Sequence, residues 1–177
     1  MITSVIRNKG SAMDGDSVLM EIESIKQLKA RYCRYLDTKD WDRWRDVFTD
    51  DFVGDTTEAG GTVIVGVDEF MAYTRNTIGK PSQPTVHQVH APEIELTSAT
   101  AARGIWALND VVRLVPALSL HGYGHYHETY EKIDGRWRIK ASKLTRLREA
   151  VTVPIFAPRI AARLRAAAAK IARRFAD

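Results

Sequence analysis

The stretch HGYGHYHETYEKIDGRWRI, residues 121–139, carries the pattern that decides the fold. Aromatic and β-branched residues lie on both sides of a short IDG segment at 133–135, which is typical of two strands that flank a turn. Strands joined by so short a connection pair antiparallel. The stretch therefore predicts an antiparallel pair near the end of the chain.

Further strand-like runs extend this pair into a sheet. With turn signals between them, the runs cover residues 85–97, 101–115, 119–132 and 136–149. An additional hairpin is predicted from FVGDTT and TVIVG, with EAGG as its turn. The second half of the chain is therefore predicted to be a long antiparallel meander.

Helical patterns occupy the first half of the chain. They are SVLMEIESIKQLKARYCRYLDTKD from residue 17, WDRWRDVF from residue 41 and VDEFMAYTRNTIG from residue 67. Apolar residues recur at spacings of three and four in the first of them. Helices followed by a meander predict an α+β fold, in which the helices cover one face of a curved sheet.

Composition excludes several classes of protein. A chain of 177 residues suits one domain, and no apolar run approaches the roughly 20 residues needed to span a bilayer. Cys33 is the only cysteine, which excludes an internal disulfide and a zinc site built on cysteines, and fits the cytoplasm. The net charge of +4 comes from residues 157–177, so we expect no nucleic-acid partner for the rest of the chain.

Three segments are predicted along the chain: a disordered lead at 1–16, a globular domain at 17–150 and a basic amphipathic helix at 151–177. The last helix has three interpretations, namely a lid or dimer arm over a pocket, a solvated helix, or a contact with an anionic membrane surface. The membrane contact is the least favoured. An exposed outer face of the sheet favours a homodimer or a higher homo-oligomer.

Two histidines in TVHQVHAPEIEL, residues 85–96, are candidate bases, because a histidine can take and return a proton near neutral pH. Strict alternation puts His90 on the apolar face with Ile94 and puts His87 on the polar face. Pro92 favours a β-bulge, however, and a bulge changes which face a residue uses. His87 is therefore the first candidate and His90 the second.

The pieces RYCRYLDTKDWDRWRDVFTDDF and HGYGHYHETYEKIDGRWRI, in this order, resemble the SnoaL-like branch of the nuclear transport factor 2-like superfamily. The resemblance covers residues 18–150. The group includes bile-acid 7α-dehydratase, scytalone dehydratase and hexachlorocyclohexane dehydrochlorinase. It implies a cone-shaped curved sheet wrapped by three helices around an internal pocket.

The resemblance also implies a set of catalytic residues. Bile-acid dehydratase and the dehydrochlorinase each pair an aspartate at the end of the first helix with a histidine at the start of the first long strand. The matching residues here are Asp37 and His87. Tyr32 matches the active-site tyrosine of the dehydratase, and Asp110 falls near its second acid. Enzymes of this type need neither a metal nor another cofactor.

Residues that contact the substrate are predicted around this group. A late arginine also features in the dehydratase, and its candidates are Arg146 and Arg148. Asp110 alternates with apolar residues such as Trp106, so its carboxylate is expected to be shielded from water, which suits acid or base work. His125 alternates with two other histidines, for which a polar sheet face is favoured over a metal site. The predicted binding residues are Arg146, Arg148, His90, Trp106 and His125.

These expectations combine into one functional hypothesis. His87, oriented by Asp37, abstracts a proton from a small hydrophobic ring compound such as a steroid or polyketide. Tyr32 and Asp110 stabilise or protonate the substrate oxygen that gains charge or leaves. The protein would be a cofactor-free lyase of the dehydratase type, or an isomerase. The alternative is a non-catalytic module that binds a small ligand or assembles with a partner on the same fold.

Overall fold

The computed structural model describes residues 15–115 and 118–152. Within them the helices are α1 (Gly15–Thr38), α2 (Trp41–Arg45) and α3 (Val67–Ile78), with a short 3-10 helix at Thr57–Ala59. The strands are β1 (Phe48–Asp55), β2 (Val63–Val65), β3 (Thr85–Leu96), β4 (Ala101–Val115), β5 (Leu118–Ile133) and β6 (Arg136–Thr152). The predicted helices and strand-like runs are thus confirmed, with one difference in the second helix.

The second helix is shorter than predicted. It ends at Arg45, and the chain then enters β1 at Phe48, which the sequence pattern assigned to the helix. Phe48 is fully buried and pairs with Ile139 of β6. The apolar side chain therefore gains more by joining the sheet and its core than by extending an isolated short helix.

The six strands form one sheet in the order β2-β1-β6-β5-β4-β3. Neighbouring strands pair antiparallel except β1 and β6, which are parallel. The sheet is therefore mixed, whereas the sequence predicted a wholly antiparallel one. A parallel pair needs a long connection, and the rest of the meander supplies it. The α+β class and the curved sheet with helices are confirmed.

The termini of the chain were predicted as separate segments. Residues 15 and 16 belong to α1, and residues 151 and 152 belong to β6. The rest of the predicted lead and the predicted C-terminal helix lie outside the described residues. Among the helices of the described chain, none is both long and apolar enough for a bilayer crossing. The expected homo-oligomer stays a prediction.

Helix α1 packs on the sheet through residues that recur every three or four positions, among them Ile25, Leu28, Tyr32 and Leu36, all at most 5% exposed. An aromatic cluster from α2, β1 and α3 continues this core. Its members are Trp44, Phe48, Phe52 and Phe70, with ring centroids 4.5–5.7 Å apart. This core fixes α1 against the inner face of the sheet.

One ion pair lies inside this core. Lys29 of α1 and Glu128 of β5 are both fully buried, with Lys29 Nζ 2.6 Å from Glu128 Oε1. The second carboxylate oxygen accepts a hydrogen bond of 2.6 Å from the Tyr130 hydroxyl, and the Ser142 hydroxyl donates to Oε1 at 3.1 Å. A buried pair is tolerated when such additional hydrogen bonds satisfy it.

We expect Lys29→Met to lower the free energy of unfolding by about 3–5 kcal/mol, because it leaves the Glu128 carboxylate buried and unpaired. The double variant Lys29→Met/Glu128→Gln is expected to recover most of the loss, since no unpaired charge remains. Urea unfolding of the three proteins checks this. The control is Arg103→Gln, which breaks the exposed Arg103–Glu95 pair and should change nothing measurable. A single variant as stable as the wild type would contradict the assigned role.

Candidate active site

The end of α1 determines where Asp37 lies. The amide of Lys39 donates to the Leu36 carbonyl at 3.2 Å, and the amide of Asp40 donates to the Tyr35 carbonyl at 2.9 Å. This bond pattern is a Schellman motif, with Lys39 in the left-handed region at φ 59°. The motif ends the helix one residue after Asp37, so the carboxylate of Asp37 projects from the last turn.

A bulge in β3 determines where His87 lies. The pairing register with β4 shifts between His90 and Glu93, and Ala91 adopts φ 44°. The bulge puts His87 on the same inward face as Ile94, although strict alternation separates them. The side chain of His87 is 6% exposed, whereas His90 is an exposed residue. The expected bulge is present.

His87 and Asp37 meet at the junction of α1 and β3. Nδ1 of His87 lies 2.7 Å from Oδ1 of Asp37, and the His87 amide donates to Oδ2 at 2.9 Å. The Thr85 hydroxyl donates to Oδ1 at 2.9 Å and accepts from Lys39 Nζ at 3.0 Å. Because an ionised carboxylate only accepts hydrogen bonds, we assign the proton of neutral His87 to Nδ1, which leaves Nε2 free as a base.

His87 borders a cavity of about 310 Å³ between the helices and the inner face of the sheet. Most of the wall is apolar. Its apolar residues include Leu36, Trp44, Phe70, Ile78, Val112, Leu120 and Leu144. Besides His87, its polar residues are Tyr32, Asp55, Thr56, Tyr73, Thr74, Thr77, Asp110, Tyr126, Ser142 and Arg146. A mostly apolar cavity that also holds polar groups is typical of a site for a small organic molecule.

Tyr32 and Tyr126 form the first polar group of the wall. Their rings meet edge to face, with centroids 6.0 Å apart. Burial raises the pKa of both hydroxyls, and the Glu128 carboxylate adds to this for Tyr32. Both therefore remain protonated at neutral pH and can donate a hydrogen bond. Lys29 Nζ lies over both rings, at 4.0 Å from Tyr32 and 3.7 Å from Tyr126.

Asp110 and Arg146 form the second polar group. Arg146 Nη1 donates to Asp110 Oδ2 at 2.8 Å. The side chain of Arg146 is 10% exposed and that of Asp110 is 3% exposed. Arg146 Nε also lies 3.1 Å from the Glu149 carboxylate. Asp110 Oδ1 has no hydrogen-bond partner among the described residues. Asp110 therefore keeps one buried carboxylate oxygen without a partner beside a guanidinium.

The structure brings together Tyr32, Asp37, His87, Asp110 and Arg146, but it separates four other predicted binding residues from the cavity. His90 and Arg148 are exposed. His125 lies on the outer face, because its neighbours Gly124 and Tyr126 are buried on the inner one. The four predicted binding residues that do not line the cavity are thus Arg148, His90, His125 and Trp106.

Trp106 does face inward, but its indole N–H donates to the Tyr130 hydroxyl at 2.7 Å and the residue belongs to the core. The row of histidines on β5, around His125, lies on the outer face. Across residues 15–115 and 118–152, no three His, Cys, Asp or Glu side chains are grouped closely enough to hold a metal ion.

Sequence reasoning missed Tyr126, Thr85, Lys39 and Gly122. The inner face of β5 alternates as Gly122, Gly124, Tyr126 and Glu128, and this period was visible in the sequence beside the histidine row. Two glycines at alternate positions signal a close approach by another group. Nothing local identifies Thr85 or Lys39, because their role depends on a contact across 46 residues.

A family model for the SnoaL-like domain matches residues 17–143. The chain belongs to the SnoaL-like domain family. The match contains Tyr32, Asp37, His87 and Asp110, and Arg146 follows shortly after it. In this SnoaL-like protein the expected kinship with the nuclear transport factor 2-like superfamily is therefore confirmed.

Proteins similar to this SnoaL-like chain include enzymes of several names. "Probable cyclase FGR4" of Gibberella zeae is 24% identical over 135 residues, which cover 70% of this chain and 89% of that protein. The LinA-type3 hexachlorocyclohexane dehydrochlorinase of Novosphingobium barchaimii LL02 has a TM-score of 0.68 and 21% identity, over 80% of this chain and 97% of its own. A protein of Novosphingobium aromaticivorans DSM 12444 assigned as a scytalone dehydratase has a TM-score of 0.69 and 22% identity, over 81% of this chain and 99% of its own. These likenesses show the shared fold.

We expect Gly122→Ala to disrupt the Asp110–Arg146 pair. Gly122 pairs directly with Asp110 across the sheet, and an added Cβ would collide with Arg146 Nη1 and Asp110 Oδ1. Overpacking of this kind costs about 1–3 kcal/mol. Chemical unfolding should therefore show a lower midpoint than for the wild type. Gly15→Ala is the control, because a Cβ there meets nothing within 4 Å; equal stability of the two variants would contradict the close packing.

Proposed function

We propose that the protein is a cofactor-free lyase of the dehydratase type that acts on a small hydrophobic ring compound. The observation that carries this proposal is the 2.7 Å contact between His87 Nδ1 and Asp37 Oδ1 beside a mostly apolar cavity. The names of the similar proteins support it, since dehydration and dehydrochlorination both begin with removal of a proton from carbon.

In the proposed reaction, Nε2 of His87 takes a proton from the carbon next to a carbonyl group of the substrate. The ring becomes an imidazolium, which Asp37 stabilises through Nδ1. The electrons of the broken C–H bond form a C=C bond as the hydroxyl on the next carbon leaves. That hydroxyl takes up the proton that the imidazolium returns, and water is released. Return of the proton to a different carbon would give an isomerase.

The substrate oxygen that gains negative charge needs donors that are already in position. The hydroxyls of Tyr32 and Tyr126 are protonated donors on the cavity wall, and Arg146 adds N–H groups held in place by Asp110. A volume of about 310 Å³ favours a compact ring compound.

We expect His87→Ala to abolish elimination while leaving the thermal midpoint nearly unchanged, because general acid–base catalysis contributes about 10²–10⁴-fold in rate. The measurement is the appearance of the conjugated product in the ultraviolet from a panel of cyclic β-hydroxy ketones. His90→Ala is the matched control, because His90 lies on the same strand but is exposed. It should keep wild-type activity.

Two outcomes would contradict this proposal. One is equal activity of His87→Ala and His90→Ala. The other is wild-type protein that binds these compounds in the cavity but converts none of them, a result that favours the binding module.

We expect Lys39→Gly to separate stability from activity. Glycine relieves the left-handed strain at φ 59°, so the thermal midpoint should stay equal or rise. The loss of Lys39 Nζ also removes the support of Thr85, which holds the Asp37 carboxylate, so kcat should fall several-fold with little change in KM. Unchanged kcat would show that Lys39 acts on the fold alone. The pH–rate profile of the variant, compared with the wild type, reports whether the His87–Asp37 pair is altered.

A further inference from the structure

A second concave surface lies along another flank of α1. It is a groove of about 610 Å³ that shares no lining residue with the cavity beside His87. One wall is a stripe of α1 from Glu21 to Tyr35, which spans about 21 Å at 1.5 Å per residue. The start of β6 and the end of α2 supply the other walls. The groove is therefore a separate feature, independent of the proposed lyase function.

The groove is strongly cationic. Its cationic side chains are Arg31, Arg43, Lys132, Arg136 and Arg138, and its carboxylates are Glu21 and Asp46. Lys132 Nζ lies 2.6 Å from Glu21, whose pKa is lowered by the hydrogen bonds from Lys132 and Trp137, so these two charges cancel. Arg43 is paired with Asp40. The charges that remain in the groove are three guanidiniums and the carboxylate of Asp46.

The three remaining guanidiniums belong to Arg31, Arg136 and Arg138. Arg138 donates to the Phe48 carbonyl at 3.1 Å, and none of the three forms an ion pair with a carboxylate of the described chain. Arg31 is half-buried, so its charge has lost part of its hydration without gaining a counter-ion from residues 15–115 or 118–152. An anion in the groove would supply one.

We propose that this groove binds a small organic molecule that carries a phosphate or diphosphate group. Guanidiniums hold phosphate oxygens through two parallel N–H bonds, which suits an anion of charge −2 or more better than a single carboxylate. The volume lies within the usual range for small-molecule sites. The apolar Leu28 and Val47 in the lining leave room for the organic part of the ligand.

The test is calorimetric titration of the full chain with inorganic pyrophosphate at 150 mM salt, where diffuse attraction between exposed charges is screened. We expect saturable binding with one site per chain. Arg31→Gln and Arg136→Gln should each weaken binding about tenfold or more, because each removes charged hydrogen bonds to phosphate. Arg113→Gln removes an exposed guanidinium from β4 with the same change in charge and should leave the affinity unchanged. His87→Ala should leave it unchanged as well.

Four outcomes would overturn the proposal. They are the absence of saturable binding, equal weakening in Arg113→Gln, loss of binding in His87→Ala, which would locate the anion in the cavity, and equal affinity for citrate, which would remove the preference for phosphate. Thermal midpoints of all variants show that each is folded. Arg136 is exposed and forms no ion pair with the described residues, so its substitution should not affect folding.

Discussion

Lys29 on the first helix meets Glu128 in the middle of the sheet, and neither side chain reaches water. Because both charges would be costly if separated, the pair allows α1 little freedom to rotate or slide on the sheet. Tyr32 and Asp37 follow Lys29 on the same helix by three and eight residues. The position of the tyrosine in the cavity and of the carboxylate beside His87 therefore depends on this contact as well as on the apolar core. The ion pair adds a directional constraint to that packing.

The His87–Asp37 contact also depends on two irregularities of the backbone. Lys39 and Ala91 both have positive φ, a conformation that is unfavourable for residues with a side chain. The first ends α1 one residue after Asp37, and the second turns His87 to the inner face of the sheet. Several hydrogen bonds to the Asp37 carboxylate offset this strain. Backbone strain of this kind is often found at functional sites, where the surrounding structure holds it in place.

The sequence predicted the parts of the fold that depend on local period. Alternation located β3 to β6, and spacings of three and four located α1 and α3. It could not predict contacts between distant residues, such as Asp110 with Arg146 or the support of Thr85 by Lys39. A bulge was expected in β3, where Pro92 signals it, but not in β5. The register shift at Tyr123 and Gly124 lies opposite Arg146 and Arg148, so a count of alternate positions does not tell which arginine faces the cavity. Family resemblance supplied Asp37 and His87, because their partnership spans 50 residues.

Charges in and around the cavity are arranged as pairs. Asp110 is held by Arg146, and Glu128 is held by Lys29. In the proposed reaction His87 is the base that Asp37 orients, and Asp37 gains a cationic partner in the ring only when His87 takes up a proton. Proton transfer from a neutral substrate would thus complete an ion pair at the moment when negative charge forms on the substrate oxygen. A cavity of this kind suits a substrate that is neutral before the reaction. The groove beside Arg31 has the opposite property, because its guanidiniums outnumber the nearby carboxylates. The cavity and the groove are therefore suited to ligands of different charge.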